Sequence, residues 1–195
     1  MTEYKTLENL AKAFIGESMA RNRYTMYAGI ARKEGYQQIG DLFIVTAENE
    51  FEHAEWNMRM LNSVMEKTGK KIELKVDSDV SHVVKTTVEN LASAIEGENY
   101  ETTKMYPGFA DVAQNEGFAD VAARLRAIGR AEAHHEERYT KLIEQVKAGT
   151  VFKKSENVQW VCSKCGYAHD GLTPPLKCPA CDHDRSYYML KCEKY

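Results

Sequence analysis

Seven side chains able to bind a metal or carry a proton recur at helical spacing: Glu17, Glu50 with His53, Glu98 with Glu101, and Glu132 with His135. Residues three apart share a helix face, so each Glu-x-x-His can aim a carboxylate and an imidazole at one point. Iron readily accepts such a mixed oxygen and nitrogen field. Four buried carboxylates repel one another and are costly to take out of water, whereas two divalent cations neutralise them in total. One Glu-x-x-His means little in a chain rich in glutamate. Two of them, joined by one further Glu from each of two other helices, match the ligand pattern of carboxylate-bridged dimetal bundles.

Glu101 breaks the symmetry of this set, because the matching position in the first half of the chain is Ala20. A fifth carboxylate suits the more highly charged ferric pair, and neutral His53 suits the ferrous pair. Glu101 and His53 are therefore expected to exchange as ligands to one iron when its oxidation state changes.

A second ligand set lies near the C-terminus. All five cysteines fall in the last 34 residues, and Cys162-x-x-Cys165 and Cys178-x-x-Cys181 form two knuckles separated by 12 residues. That spacing predicts one tetrahedral site with four thiolate ligands. Zinc and iron both fit it. Iron would pass one electron at a time, and zinc would only hold the segment together. Cys192 is expected to be a free thiol, His134 to face solvent, and His82, His169 and His183 to have no ligand role.

The elements that must position these groups follow from composition and punctuation. From about Leu7 to Lys147 the chain is rich in Ala, Glu, Lys, Arg, Met and Leu, interrupted by Pro107 alone. Four long helices are predicted: Leu7 to Lys33 behind Thr6 as N-cap, Gln37 to Glu66, Thr86 to Asn115 with a bend at Pro107, and Gly117 to Lys147. Thr86-x-x-Glu89 is the pattern of a capping box. The stretch Lys-Lys-Ile-Glu-Leu-Lys-Val after Gly69 is a crossover connection. Glu34-Gly35-Tyr36 repeats as Glu116-Gly117-Phe118, and Glu50 and His53 as Glu132 and His135, all 82 positions apart; Glu17 and Glu98 are 81 apart. Two helical hairpins packed as an all-α four-helix bundle with approximate two-fold symmetry are implied. The expected domains are the bundle over 1–147, a linker over 148–157 and a cysteine segment over 158–195.

With 195 residues, 43% hydrophobic and 28% charged, the chain fits a soluble globular protein. Its formal net charge of -3, without a basic block, points away from nucleic acid and anionic membranes. The polar start Met-Thr-Glu-Tyr-Lys has no secretory apolar region, and no apolar run is long enough for a bilayer. A cytoplasmic protein is expected.

Across almost its whole length the chain resembles rubrerythrins. The marks are Ala-Phe-Ile-Gly-Glu17-Ser-Met-Ala-Arg-Asn-Arg-Tyr, Glu50-Phe-Glu-His53, Gly-Glu98-Asn-Tyr-Glu101, Met-Tyr-Pro-Gly-Phe-Ala, Glu132-Ala-His-His135-Glu-Glu and both knuckles. The resemblance implies a ferritin-like bundle followed by a small rubredoxin-like β-ribbon. It implies two non-haem irons held by Glu17, Glu50, His53, Glu98, Glu101, Glu132 and His135, and one iron held by Cys162, Cys165, Cys178 and Cys181, a site that zinc can enter in recombinant protein. It further implies a peroxidase that reduces hydrogen peroxide to water. Electrons would come from NAD(P)H through separate reductases and a donor such as rubredoxin. A homodimer or larger homo-oligomer is implied, with the rubredoxin-like domain of one chain facing the di-iron site of another. Two rivals remain. An iron-storage protein would form a closed shell, visible by light scattering, and a partner-binding module with zinc in the ribbon would lack the red colour of a ferric four-cysteine site.

Overall fold

The structure is a computed structural model that describes residues 4–69 and 73–193. The start of the crossover, 70–72, and the first three and last two residues lie outside the described residues. Helix α1, Lys5–Lys33, and α2, Gln37–Thr68, form the first hairpin. The second hairpin begins with α3, Thr87–Tyr100, which runs through a π-helical segment, Glu101–Met105, into α4, Tyr106–Asn115. Helix α5, Ala119–Ala148, completes the bundle.

The turns explain the hairpins. Gly35 and Gly117 have φ of 85° and 90°, a left-handed conformation that an L side chain rarely adopts. Each follows a glutamate that reaches across to the other hairpin. Glu34 accepts from the backbone N–H of Thr87 at 3.1 Å, and Glu116 accepts from Lys5 at 2.8 Å and Thr6 at 3.0 Å. Each turn thus caps the first helix of the opposite hairpin with a carboxylate. Thr6 is consequently a buried residue inside α1, and Tyr4 occupies the N-cap position expected of Thr6. Thr86 does form the full capping box with Glu89.

Pro107 is the second residue of α4 and directly follows the π-helical segment. The irregularity expected there lies earlier, in the π-helical segment. One residue inserted in a helix without breaking it makes a π-bulge, and this accounts for the repeat offset of 81 before Glu101 and 82 after it. Tyr24 and Tyr106, 82 apart, occupy equivalent places on the two sides.

Two apolar layers sandwich a polar slice. Leu10, Leu61, Val64, Tyr106 and Leu125 belong to one layer, and Tyr24, Tyr27, Phe43, Leu91 and Tyr139 to the other. Along α1, Glu17 falls between buried Ala13 and Ala20, and along α2, Glu50 falls between Ala47 and Ala54. Val45, five residues before Glu50, is 50% exposed.

The C-terminal segment is a three-stranded antiparallel sheet of β1, Val158–Cys162, β2, Ala168–Gly171, and β3, Tyr188–Leu190, in the order β2-β1-β3. Its buried cluster is small: Trp160, Cys162, Cys178 and Tyr188. It meets the bundle at the α1–α2 turn, where Tyr36 stacks on Phe152 with ring centroids 6.4 Å apart. Among the described residues no helix is long and apolar enough to cross a membrane.

Candidate metal centres

Glu17, Glu50, Glu98 and Glu132 are all fully buried in the slice, His135 is nearly so, and His53 is part-buried at its rim. Two sets of ligand atoms converge, each within 4.8 Å of one another: Glu17, Glu50, His53 and Glu132, and Glu50, Glu98, Glu132 and His135. Glu50 and Glu132 belong to both, as bridging carboxylates require. Glu101 is 8% exposed and stands outside both sets.

The donor atoms are crowded without being satisfied. His135 Nδ1 lies 2.9 Å from Glu132, 3.1 Å from Glu50 and 3.4 Å from Glu98, yet it makes no hydrogen bond of acceptable geometry. Glu17 Oε2, Glu50 Oε1, Glu98 Oε2 and both Glu132 oxygens are likewise buried without a hydrogen-bond partner. Leaving so many buried acceptors unpaired is costly. Lone pairs that converge on a common space and find no proton fit divalent cations, and these residues therefore suit a metal pair.

The protonation balance shows the same pressure. Burial holds the carboxyls of Glu17 and Glu101 well above the usual range, with neighbouring carboxylates adding to it. Burial also raises Glu98 to about 7. Burial would lower His53, but the Glu132 and Glu50 carboxylates beside it outweigh that and raise the imidazole to about 9. Protons on these groups occupy the place that cations would otherwise take.

Two tyrosines steady the carboxylates. Tyr24 donates to Glu98 Oε1 at 2.5 Å, and its counterpart Tyr106 donates to Glu17 Oε1. The sequence signal that marks them as counterparts is their shared 82-residue offset. Tyr27 donates instead to the carbonyl of Val83 in the crossover, and Tyr100 is exposed.

In the ribbon, Cys162 and Cys181 sulfurs lie 3.7 Å apart and Cys165 and Cys178 sulfurs 3.6 Å apart. Metal–sulfur bonds of about 2.3 Å in a tetrahedron set sulfurs about 3.8 Å apart, whereas a disulfide needs about 2 Å. The knuckles fold alike. Gly166 and Asp182, each following a knuckle's second cysteine, both have positive φ, and their N–H groups bond to the carbonyls of Cys162 and Cys178 at 2.8 Å. Cys192 is a free, exposed thiol, and His134 faces solvent.

A family model described as Rubrerythrin matches residues 8–143, and one described as the rubredoxin-like domain of rubrerythrin matches residues 160–189. The chain belongs to the rubrerythrin family. A putative rubrerythrin of Methanocaldococcus jannaschii is 55% identical, covering 98% of this chain and 95% of that protein. The rubrerythrin of Clostridium perfringens is 46% identical, covering 98% and 96%. Nigerythrin solved in a fully reduced, all-ferrous state aligns with a TM-score of 0.61 at 31% identity, covering 98% of this chain and 89% of that one. The rubrerythrin fold here carries a carboxylate–histidine di-iron site in the bundle and a rubredoxin-like four-cysteine iron site in the ribbon. Membership of a rubrerythrin family makes it an oxidoreductase with a redox role.

Proposed function

We propose that the protein is a non-haem di-iron peroxidase that reduces hydrogen peroxide to water and protects against oxidative stress. The observation that carries this reading is the presence, in one chain, of unsatisfied buried carboxylates and a four-thiolate site. When bound, a diferrous pair supplies the two electrons that breaking one O–O bond consumes. An iron held by Cys162, Cys165, Cys178 and Cys181 would supply electrons one at a time. Storage of iron needs no such dedicated return, which favours the peroxidase over the storage rival.

The chain's own residues hold the site ready. Tyr24 and Tyr106 fix Glu98 and Glu17 by hydroxyl donation, while the apolar layers on either side exclude water. Glu17, Glu50, His53, Glu98, Glu101, Glu132 and His135 are the di-iron ligands in this reading, and Cys162, Cys165, Cys178 and Cys181 hold the single iron. Glu101 and His53 exchange with oxidation state. His53 stands inside a convergent set and Glu101 at its edge, outside both, so each is placed to enter or leave the ligand sphere.

The division into 1–147, 148–157 and 158–195 belongs to this reading, as does a homodimer in the cytoplasm. Phe152 of the linker and Ser186 of the ribbon meet the bundle at Tyr36 and Gly35, and Tyr36 caps α2 fourteen residues before Glu50, which is about 20 Å of rise. That separation supports electron delivery from the ribbon of a partner chain. Electrons reach the ribbon from NAD(P)H through a separate reductase and a donor such as rubredoxin. Anaerobic stopped-flow mixing of fully reduced protein with hydrogen peroxide or dioxygen tests the reading. Fast oxidation by peroxide and slow oxidation by dioxygen are expected; the reverse order contradicts it.

A further inference from the structure

Glu101 has no carboxylate counterpart in the first half of the chain, and the cation that answers it has no charged counterpart in the second. Arg23 on α1 corresponds, at the offset of 82, to Met105. Across the approximate two-fold, Arg23 over Gly97 and Glu101 is therefore matched by Met105 over Gly16 and Ala20. Where one side has Met105 and Ala20 the other has Arg23 and Glu101, and Ala20 and Glu101 each lie four residues after a glycine on the same helix face.

The geometry fits a place for a displaced carboxylate. A cavity of about 640 Å³ opens between α1 and α3 beneath the crossover, and Arg23, Gly97, Tyr100 and Glu101 all line it. The guanidinium lies against α3 beside Gly97, where a Cβ would stand in ordinary contact with Arg23 Nη2 at 3.8 Å. The Nε of Arg23 is buried without a hydrogen-bond partner, and unpaired buried donors are rare without a use. Arg23 is also the positive charge acting on Glu101, opposing the burial and the neighbouring carboxylates that favour its neutral form.

We propose that Arg23 is a positioning residue that receives the Glu101 carboxylate on the cavity side whenever Glu101 leaves the iron. This inference rests on the exchange of Glu101 with His53 proposed above. By giving the displaced carboxylate a partner, Arg23 favours the reduced arrangement over the oxidised one. A guanidinium suits the task better than an ammonium because it offers a planar fork to a carboxylate. Lysine still supplies the charge and should rescue in part.

The test is the midpoint potential of the iron-loaded bundle, read in the full chain for wild type, Arg23→Met, Arg23→Lys, Glu101→Gln and the double variant Arg23→Met with Glu101→Gln. Arg23→Met should lower the midpoint, Arg23→Lys should recover most of the shift, and in the Glu101→Gln background Arg23→Met should change little. A crystal structure of reduced Arg23→Met should show Glu101 still on the iron. Loss of positive charge alone would lower the midpoint equally with Gln at 101, so an undiminished shift in that background overturns the proposal. So does a midpoint of Arg23→Met equal to wild type. If Arg23→Met does not fold, Arg23→Gln, polar and uncharged, takes its place in the same comparison. Wild-type protein that reacted faster with dioxygen than with peroxide would sink the peroxidase reading and leave this comparison readable.

Discussion

Tyr24 and Tyr106 donate to carboxylates on other helices, Glu98 and Glu17, and so tie the ligands to the apolar layers. A hydrogen bond to a charged group is worth about 1.5–3 kcal/mol. Tyr24→Phe should therefore cost the iron-loaded protein stability of about that order, with a similar loss for Tyr106→Phe, measured by guanidinium unfolding; a loss below about 0.5 kcal/mol would deny them the role. The six bundle residues that converge were legible in sequence because helical spacing sets their donors on one face. The tyrosines were not, since each partner lies more than seventy residues away. Protonation gives a second prediction at this scale. Glu98, raised from its ordinary 4.5 to about 7, contributes stability that is full below 4.5 and lost as pH rises towards 7. His53, raised from 6.5 to about 9, contributes stability lost between those values. Both trends run the same way, so metal-free protein should unfold at progressively lower temperature from pH 5 to 9. Iron-loaded protein, with cations in place of protons, should lack that trend. Calorimetry of both forms at three pH values checks this, and a metal-free midpoint that climbs with pH would refute it.

Among the elements, the two hairpin turns carry the symmetry of the bundle. Glu34 and Glu116 cap helices that begin 53 and 111 residues away at the closest bonds. Removing a cap costs about 1 kcal/mol, and distant sites add. Glu34→Ala and Glu116→Ala should each destabilise by about that much, and together by about twice as much, in urea titrations; a loss confined to one of them would break the symmetry argument. The local capping box at Thr86 and Glu89 was visible in sequence, because both partners lie within one turn. These long-range caps were not, because nothing local marks a glutamate as the cap of another hairpin. Nor was the π-helical segment, whose trace in the sequence is a single-residue change in repeat offset. The irregularity expected at Pro107 lies in that segment, directly before a proline whose ring and missing N–H disturb the preceding turn of a continuous helix.

For the whole molecule, the ribbon and the bundle differ in what holds them together. Four buried residues make too small a core to fold without help, so the ribbon depends on its metal. Cys178→Ser should abolish the red absorption and expose Trp160, seen by fluorescence, while circular dichroism keeps the helical signal; retained colour would contradict the ligand assignment. Docked at the α1–α2 turn, the ribbon of one chain is remote from that chain's own di-iron site, and a dimer by light scattering is expected. The central claim is that electrons leave the four-cysteine iron by way of the bundle carboxylate site. Fully reduced wild type and Glu50→Ala, which lacks a ligand common to both convergent sets, should be mixed anaerobically with hydrogen peroxide while the ferric four-cysteine absorption is followed. The account predicts that the red colour rises at least tenfold more slowly in Glu50→Ala; equal rates in the two proteins would contradict it.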